Sequence, residues 1–312
     1  MKKVGYLYDP VYLEHRPDSY HPENPQRLKA IEKAVDDSGL KKDLVVIEPE
    51  PAKKEDILLN HAEEYYHRVE ATQQIDFGNF DPDTYFCKDT YKAAMLAAGG
   101  CIEAGKMVME GEIDSAFCAV RPPGHHSEHG YTKGFCIFNN IAILARRLLA
   151  DYSLRRIAIL DWDGHHGNGT QHAFYDTDQV HYTSLHAFPF YPGSGTKNET
   201  GSGSGKGYTL NFPLGLGAGD EQYLGPVKDE WLPAMNDYRP EIILVSTGYD
   251  AFTADPYVFL DVSSEAISEI CRIAKAAAEE YCSGKTILVL EGGYVLDYIG
   301  KAVVEHLKIL ME

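Results

Sequence analysis

Positive charge is in short supply. The chain sets 29 lysines and arginines against 47 aspartates and glutamates, a formal net charge of −18 at pH 7. Phosphate backbones are bound by clustered cations, so no nucleic-acid partner is expected. The balance is compatible with a cationic substrate drawn in by the protein's field, and equally with an acidic surface kept soluble by repulsion. Long apolar runs are missing too. None approaches the roughly 18 residues of a membrane span, so no membrane partner is expected. Met1-Lys2-Lys3 leads into only a few apolar residues before Asp9-Pro10, which reads as a first strand and not as a secretory leader. Cysteines are few and scattered. Cys87, Cys101, Cys118, Cys136, Cys271 and Cys282 form no C-x-x-C pair, which favours neither disulfides nor a thiolate metal site and predicts a reducing, cytoplasmic setting.

What is present is a chain able to bury a large core, with 44% hydrophobic residues over 312 positions. Apolar runs predict strands at Val4–Tyr8, Ala116–Val120, Ile157–Asp161, Val180–Leu185, Tyr208–Phe212, Ile242–Thr247 and Thr286–Glu291. Helical spacing fills the gaps, at Asn140–Ala150, Thr170–Asp176, Glu221–Tyr238, Ser263–Tyr281 and Val295–Leu310. Upstream, helices are predicted from near Pro25, over Lys54–Gln74 and over the alanine-rich Lys88–Met109. Phe77–Phe86 reads as a loop with the acidic run Asp81-Pro82-Asp83, and the Gly/Ser-rich 194–207 segment as a surface loop. Such alternation implies one α/β domain over residues 1–312, a mainly parallel sheet of about eight strands with helices on both faces.

The strand Ile157–Asp161 delivers Asp161-Trp162-Asp163-Gly164-His165-His166-Gly167-Asn168 into a turn. Asp163 and His165 are two apart, so an extended backbone points them to one side. Read alone, they would cap the helix that follows. Three other strand ends change the odds: Arg121-Pro122-Pro123-Gly124-His125-His126, Gly248-Tyr249-Asp250 with Asp255-Pro256, and Gly292-Gly293-Tyr294. Ligands in open α/β sheets bind at such carboxyl ends. Eight of the thirteen histidines fall between positions 125 and 186. Asp163, His165 and Asp255 make a mononuclear metal site with open positions, harder than most zinc sites, so Fe2+ is a credible occupant. His125 and His126 suit proton transfer, and Tyr294 suits an oxyanion. Arg27, on its own helix, reads as a surface residue.

At these residues the sequence resembles the histone deacetylase family, with its arginase–deacetylase fold. The stretches Gly134-Phe135-Cys136, Ser184-Leu185-His186, Glu291-Gly292-Gly293-Tyr294 and His21-Pro22-Glu23-Asn24-Pro25-Gln26-Arg27 extend the likeness over nearly the whole chain. The resemblance implies a zinc-dependent deacetylase with Asp163, His165 and Asp255 as ligands and His126 as general base and acid. It implies that His125 is oriented by Asp161, and that Tyr294 stabilises the oxyanion. Gly134 and Phe135 would line an acyl-lysine tunnel, with Tyr191 in place of the usual phenylalanine opposite. Asp81, or else Asp83, would be the rim carboxylate, and Arg27 would sit near an acetate-release pocket. A structural K+ or Na+ would use Asp161, Asp163, His165, Ser184 and Leu185, and a second one Phe174, Thr177, Val180 and Tyr208. Asn168, where class I members have aspartate, resembles the class II and prokaryotic amidohydrolase branch; it holds His126 without adding a charge.

The expected reaction is hydrolysis of N-acyl amides of cationic amines, most simply acetyl-lysine in a protein or peptide. The nearest rival is an acetylpolyamine amidohydrolase, whose relatives carry a gatekeeper carboxylate where Val262 aligns. A two-manganese ureohydrolase would need further Asp and His ligands, and an inactive acyl-lysine binder would not need Tyr294.

Overall fold

The computed structural model describes residues 2–312. Its strands are β1 (Val4–Leu7), β2 (Val45–Ile47), β3 (Phe77–Asp81), β4 (Thr84–Cys87), β5 (Ser115–Cys118), β6 (Ile157–Asp161), β7 (Val180–Ala187), β8 (Thr209–Leu214), β9 (Ile242–Thr247) and β10 (Thr286–Leu290). Its helices are α1 (Gln26–Ser38), α2 (Lys54–Leu58), α3 (Glu63–Ala71), α4 (Thr90–Met109), α5 (Asn140–Tyr152), α6 (Asn168–Ala173), α7 (Asp220–Pro226), α8 (Leu232–Tyr238), α9 (Ser264–Cys282) and α10 (Leu296–Met311).

Eight strands form one sheet in the order β2-β1-β5-β10-β9-β6-β7-β8, every pair parallel. Parallel strands are covered on both faces, and so their sequences run apolar without alternation. Thr286–Leu290 and Ile157–Asp161 are buried at every position. Helices α4 and α5 pack on each other and on the sheet as one layer; α1, α10 and α9 pack together as another. The order has a direct consequence for function. The four strands whose ends carry the chemical motifs, β5, β10, β9 and β6, are consecutive neighbours at the centre of the sheet. Register is tight there: Asp161 lies opposite Ser246 of β9 and Ser184 of β7.

Several sequence expectations need correcting. Phe77–Phe86 is no loop: β3 and β4 form an antiparallel hairpin outside the main sheet, with a register shift between Asn79 and Asp81. Its strand pattern was masked by the Gly78, Asn79 and Asp81-Pro82-Asp83 turn signals. The predicted Lys54–Gln74 helix breaks at residues 59–62, where His61 is buried and its Nδ1 bonds to the Glu128 carbonyl at 2.8 Å. Glu221–Tyr238 is interrupted by a π-helical turn over Val227–Trp231, which directly follows Pro226. The short edge strand β2 was not anticipated.

Helix α4 owes its alanines and glycines to a close neighbour. The backbone at Glu50–Ala52 runs against it, and Ala52 N–H donates to the Met95 carbonyl at 2.8 Å. One turn on, a Cβ at Gly99 would collide with the Glu50 carbonyl oxygen and the Ala52 nitrogen, both backbone atoms that cannot rotate away. Gly99→Ala is therefore expected to destabilise the fold by about 1–3 kcal/mol. Urea unfolding measures this, and an unchanged midpoint would refute the close approach.

Candidate active site

The end of β6 turns sharply, and each bend is tied to a neighbouring strand end. Gly164 N–H donates to Asp250 Oδ1 at 2.7 Å, and Gly292 N–H donates to Asp163 Oδ2 at 2.8 Å. His165 N–H donates to Asp163 Oδ1 at 2.9 Å, and the His165 Nδ1 lies 2.9 Å from Asp250 Oδ2. Neither Asp163 nor His165 caps the following helix, which begins at Asn168 after Gly167 with no side-chain cap.

Among the described residues, Asp163, His165 and Asp250 bring three donor atoms within 4.8 Å of one another. The sequence put Asp255 in the third place. Its carboxylate oxygens accept backbone N–H groups, from Tyr257 at 3.0 Å and from Tyr294 at 2.8 Å, as those of Asp163 do from His165 and Gly292. Those bonds tie the residue 255 turn to the Gly-Gly-Tyr turn after β10. Each oxygen keeps a second lone pair, so Asp255 retains acceptor capacity beside the other three. Asp250 was visible in the Gly-Tyr-Asp motif, but nothing in the spacing distinguished it from Asp255.

Both histidines of the pair are buried. His125 Nδ1 meets Asp161 Oδ2 at 3.0 Å, and the same oxygen accepts the Tyr182 hydroxyl at 3.1 Å. Burial disfavours charge on His125, but Asp161, Asp163 and Glu291 outweigh it and push its pKa up to about 10. His126 goes the other way. Burial and the nearby His125 and His165 hold it well below the usual range, and Asn168 Oδ1 lies 2.8 Å from its Nδ1. Environments that drive two adjacent imidazoles apart separate a charged group from a neutral base. The turn carrying them is pinned by Glu291, which accepts from Gly124 N–H at 2.8 Å and His125 N–H at 3.1 Å.

These groups line a narrow cavity of about 140 Å³ whose walls are Phe135, Phe190, Tyr191, Tyr257 and Tyr294. Gly134 and Phe135 both have left-handed backbone, with φ of 56° and 66°. A Cβ at Gly134 would strike the His126 ring, so glycine is required there. Phe135 tolerates its conformation because its N–H donates to Thr84 Oγ1 at 3.1 Å and its ring packs edge-on against His21 and Tyr294. The Tyr191 ring stands perpendicular to that of His126, and its hydroxyl is buried without a hydrogen-bond partner.

Two rim assignments change. Asp83, not Asp81, lines the cavity, and burial together with Asp81 raises its pKa to about 6. The hairpin turn explains it: Asp81 Oδ1 is occupied by Asp83 N–H at 3.0 Å, and Asp81 faces a separate groove with Arg68, Tyr131 and Lys133. Val262 is fully buried, bridges to Phe252 and does not line the channel. An apolar side chain between the residue 252 turn and α9 belongs to the core, so it reports nothing about a gatekeeper.

Arg27 is wholly buried. Its Nε donates to the Gly293 carbonyl at 2.7 Å and a terminal nitrogen to the Glu291 carbonyl, while its guanidinium lies 5.1 Å from the Tyr294 ring centre. It is thus a brace for the turn that presents Tyr294. Glu23 joins it to Arg121, which also bonds the Tyr12 and His15 carbonyls and the Tyr85 hydroxyl. Burial works against ionised Glu23, yet Arg121 and Arg27 hold it well below the usual carboxylate range. The two sets of monovalent-cation residues fall in different places, the first where β6 meets β7 and the second at the end of α6 and the starts of β7 and β8. Asp161 and Ser184 are register partners with Leu185 beside them, the Phe174 carbonyl accepts from Thr177 N–H, and the Tyr208 carbonyl accepts from Tyr182 N–H near Val180.

Whether these residues suit a divalent ion follows from their charges. Asp161, Asp163, Asp250, Asp255 and Glu291 are all buried. Burial raises Asp161, Asp250, Asp255 and Glu291, the last two to about 7, with Asp163 adding to the effect on Asp250 and Asp250 to that on Asp255. Carboxyl groups crowded this closely resist ionising together, and a divalent cation would relieve them. Mixed carboxylate and imidazole donors fit Zn2+ or Fe2+.

Paired imidazoles, clustered acids and a tyrosine around an aromatic channel, on the central ends of a parallel sheet, define a hydrolase of the deacetylase type. The chain belongs to the histone deacetylase family: the histone deacetylase domain matches residues 21–310. It is 40% identical to a probable deacetylase of Archaeoglobus fulgidus over 94% of this chain and 82% of that protein. It is 36% identical to the histone deacetylase-like amidohydrolase of Pseudomonas aeruginosa, over 92% and 77%. Histone deacetylase HDA1 of Saccharomyces cerevisiae is also 36% identical, over 93% of this chain but 44% of that longer protein. The crystal structure of the HDA15 HD domain superposes with a TM-score of 0.94 at 33% identity, covering 99% of this chain and 88% of that one.

The Glu23 network gives a stability test. Glu23→Gln should cost about 3–5 kcal/mol, because it leaves a buried guanidinium uncompensated. A depressed carboxylate pKa stabilises above the ordinary range, so the loss should be full at pH 7 and narrow as pH falls below about 4.3. Denaturant titrations across pH check both parts; a loss under 1 kcal/mol at pH 7 would contradict the buried network.

Proposed function

We propose that the protein is a divalent-metal-dependent deacetylase that removes acetyl groups from N-acetyl-lysine side chains, releasing acetate. One observation carries the reading: the His125–His126 pair, Asp163, His165 and Tyr294 all face a single narrow channel with aromatic walls. A flexible aliphatic stem ending in an amide fits such a channel, and an acidic rim at Asp83 favours a cationic or amide-rich approach. A larger open groove of about 650 Å³ beside α9 and α10 holds no comparable set of groups.

Asp163, His165 and Asp255, with Asp250 beside them, would hold the ion. A bound Zn2+ or Fe2+ would supply Lewis acidity at the acyl carbonyl and lower the pKa of water at the site. The chain's own residues do the rest. Neutral His126 accepts the proton of the attacking water at its free ring nitrogen and returns it to the leaving amine. His125, charged against Asp161, adds positive charge next to the reacting carbonyl. The Tyr294 hydroxyl, braced by Arg27 from behind, donates to the developing oxyanion. Gly134 and Phe135 shape the wall that orients the substrate stem. Backbone carbonyls around Asp161 and Ser184 would hold a structural K+ or Na+. The six cysteines are free and buried, which supports a reducing, cytoplasmic setting.

Tyr294→Phe should lower turnover of an acetyl-lysine peptide about 10²–10³-fold with the metal content unchanged. Retained turnover would remove the oxyanion role. With the parent protein, an acetyl-lysine peptide should be cleaved faster than an acetylated polyamine. The reverse order would make the enzyme a polyamine amidohydrolase. Metal analysis should find one equivalent per chain and lose it in Asp163→Ala. Two equivalents would contradict the mononuclear site.

A further inference from the structure

We propose that Glu128 is a positioning residue for the reaction: it fixes which way the Asn168 amide faces, and so which ring nitrogen of His126 carries the proton. The inference rests on the reading of His126 as the proton-transferring group.

The bonding pattern admits one orientation. Asn168 Oδ1 lies 2.8 Å from His126 Nδ1, while Asn168 Nδ2 donates to the His126 carbonyl at 3.2 Å and to Glu128 Oε1 at 2.5 Å. A backbone carbonyl and a carboxylate are both acceptors only. An amide turned end for end would set its oxygen against both of them and aim its NH2 at the ring. The carbonyl contact is the longer and weaker one; the short, charge-assisted bond to Glu128 is the main restraint. With the amide oxygen facing it, the ring must donate from Nδ1, and the Nε2 lone pair is left free to take a proton in the channel.

Glu128 does not line the channel. Its side chain is 9% exposed and is itself held from outside, where His172 Nδ1 lies 2.9 Å from both carboxylate oxygens with a ring 53% exposed. Its backbone is fixed as well, since Glu128 N–H donates to the Tyr131 carbonyl at 3.0 Å and its own carbonyl meets His61 Nδ1 at 2.8 Å. A carboxylate so restrained has no contact with substrate, yet it ends a line of bonds that starts at the catalytic ring. A carboxylate at position 168 would need no such restraint, since neither of its oxygens can turn a donor toward the ring. The uncharged amide does need it.

A double-mutant cycle tests this. Glu128→Ala should lower kcat for an acetyl-lysine peptide about ten- to a hundredfold with KM unchanged. Glu128→Gln keeps an acceptor oxygen and should recover most of the rate. In the Asn168→Asp background, Glu128→Ala should cost nothing or raise kcat, because it removes a facing carboxylate. Imidazole nitrogen NMR, assigned with His126→Asn, gives a readout independent of turnover. His126 should be the Nδ1–H tautomer in the parent and a mixture in Glu128→Ala. Equal losses in both backgrounds, or an unmixed Nδ1–H tautomer in Glu128→Ala, would overturn the proposal. An inactive parent protein would instead overturn the proposed function, and the NMR result would still decide the role of Glu128.

Discussion

Everything at the centre of this protein depends on keeping buried negative charge tolerable. Four neighbouring parallel strands release their chains at one edge, and three of the releases carry carboxylates: Asp161 and Asp163 from β6, Asp250 from β9, Glu291 from β10, while β5 delivers His125 and His126. Two compensations are built in. His125 supplies positive charge directly, while backbone N–H groups of Gly124, His125, Gly164, Gly292 and Tyr294 bond to the carboxylate oxygens. The glycines are there because backbone must approach carboxylate. A Cβ at Gly292 would lie 2.6 Å from Asp163 Oδ2, and one at Gly167 would overlap Asp161. Charge and chain path are thus one design problem, and a divalent ion is its natural completion.

Around that centre the structure separates bracing from chemistry. Arg27, Glu23 and Arg121 form a buried charged lattice behind the site; it meets a reacting residue only where Arg27 lies against the ring of Tyr294. It connects the loop after β1, the start of α1, the residue 121 turn and the Gly-Gly-Tyr turn. Buried ion pairs add little net stability against apolar substitutes, but they dictate geometry strictly because any misalignment strands a charge. That strictness suits a tyrosine that must meet a developing oxyanion within a fraction of an ångström.

The fold was largely legible in the sequence because central parallel strands are buried on both faces and read as unbroken apolar runs. Ile157–Asp161 and Ile242–Thr247 were placed without error for that reason. Failures came where local signals and tertiary context disagree. Gly78 and Asn79 look like loop residues, yet they pair across a hairpin. Arg27 looks like a surface cation, and only the strand topology shows that α1 presents it to the end of β10. At the site, residue types and strand ends could be read, but not the competition between Asp250 and Asp255. Only the fold shows how they divide the work: Asp250 holds the Gly164 N–H and the His165 ring, and Asp255 the Tyr257 and Tyr294 N–H groups. Asp81 and Asp83 were indistinguishable for a similar reason, since a two-residue offset at a turn decides which one points inward.

The hairpin of β3 and β4 has a wider consequence. It shares no ladder with the eight-stranded sheet, yet it carries Asp83 at the mouth of the channel. Entrance and reaction centre therefore stand on different sheets. Insertions or replacements at the 81–83 turn can redraw what is admitted while Thr84 and Tyr85 keep their bonds to Phe135 and Arg121, so the scaffold is modular in its selectivity and conservative in its chemistry.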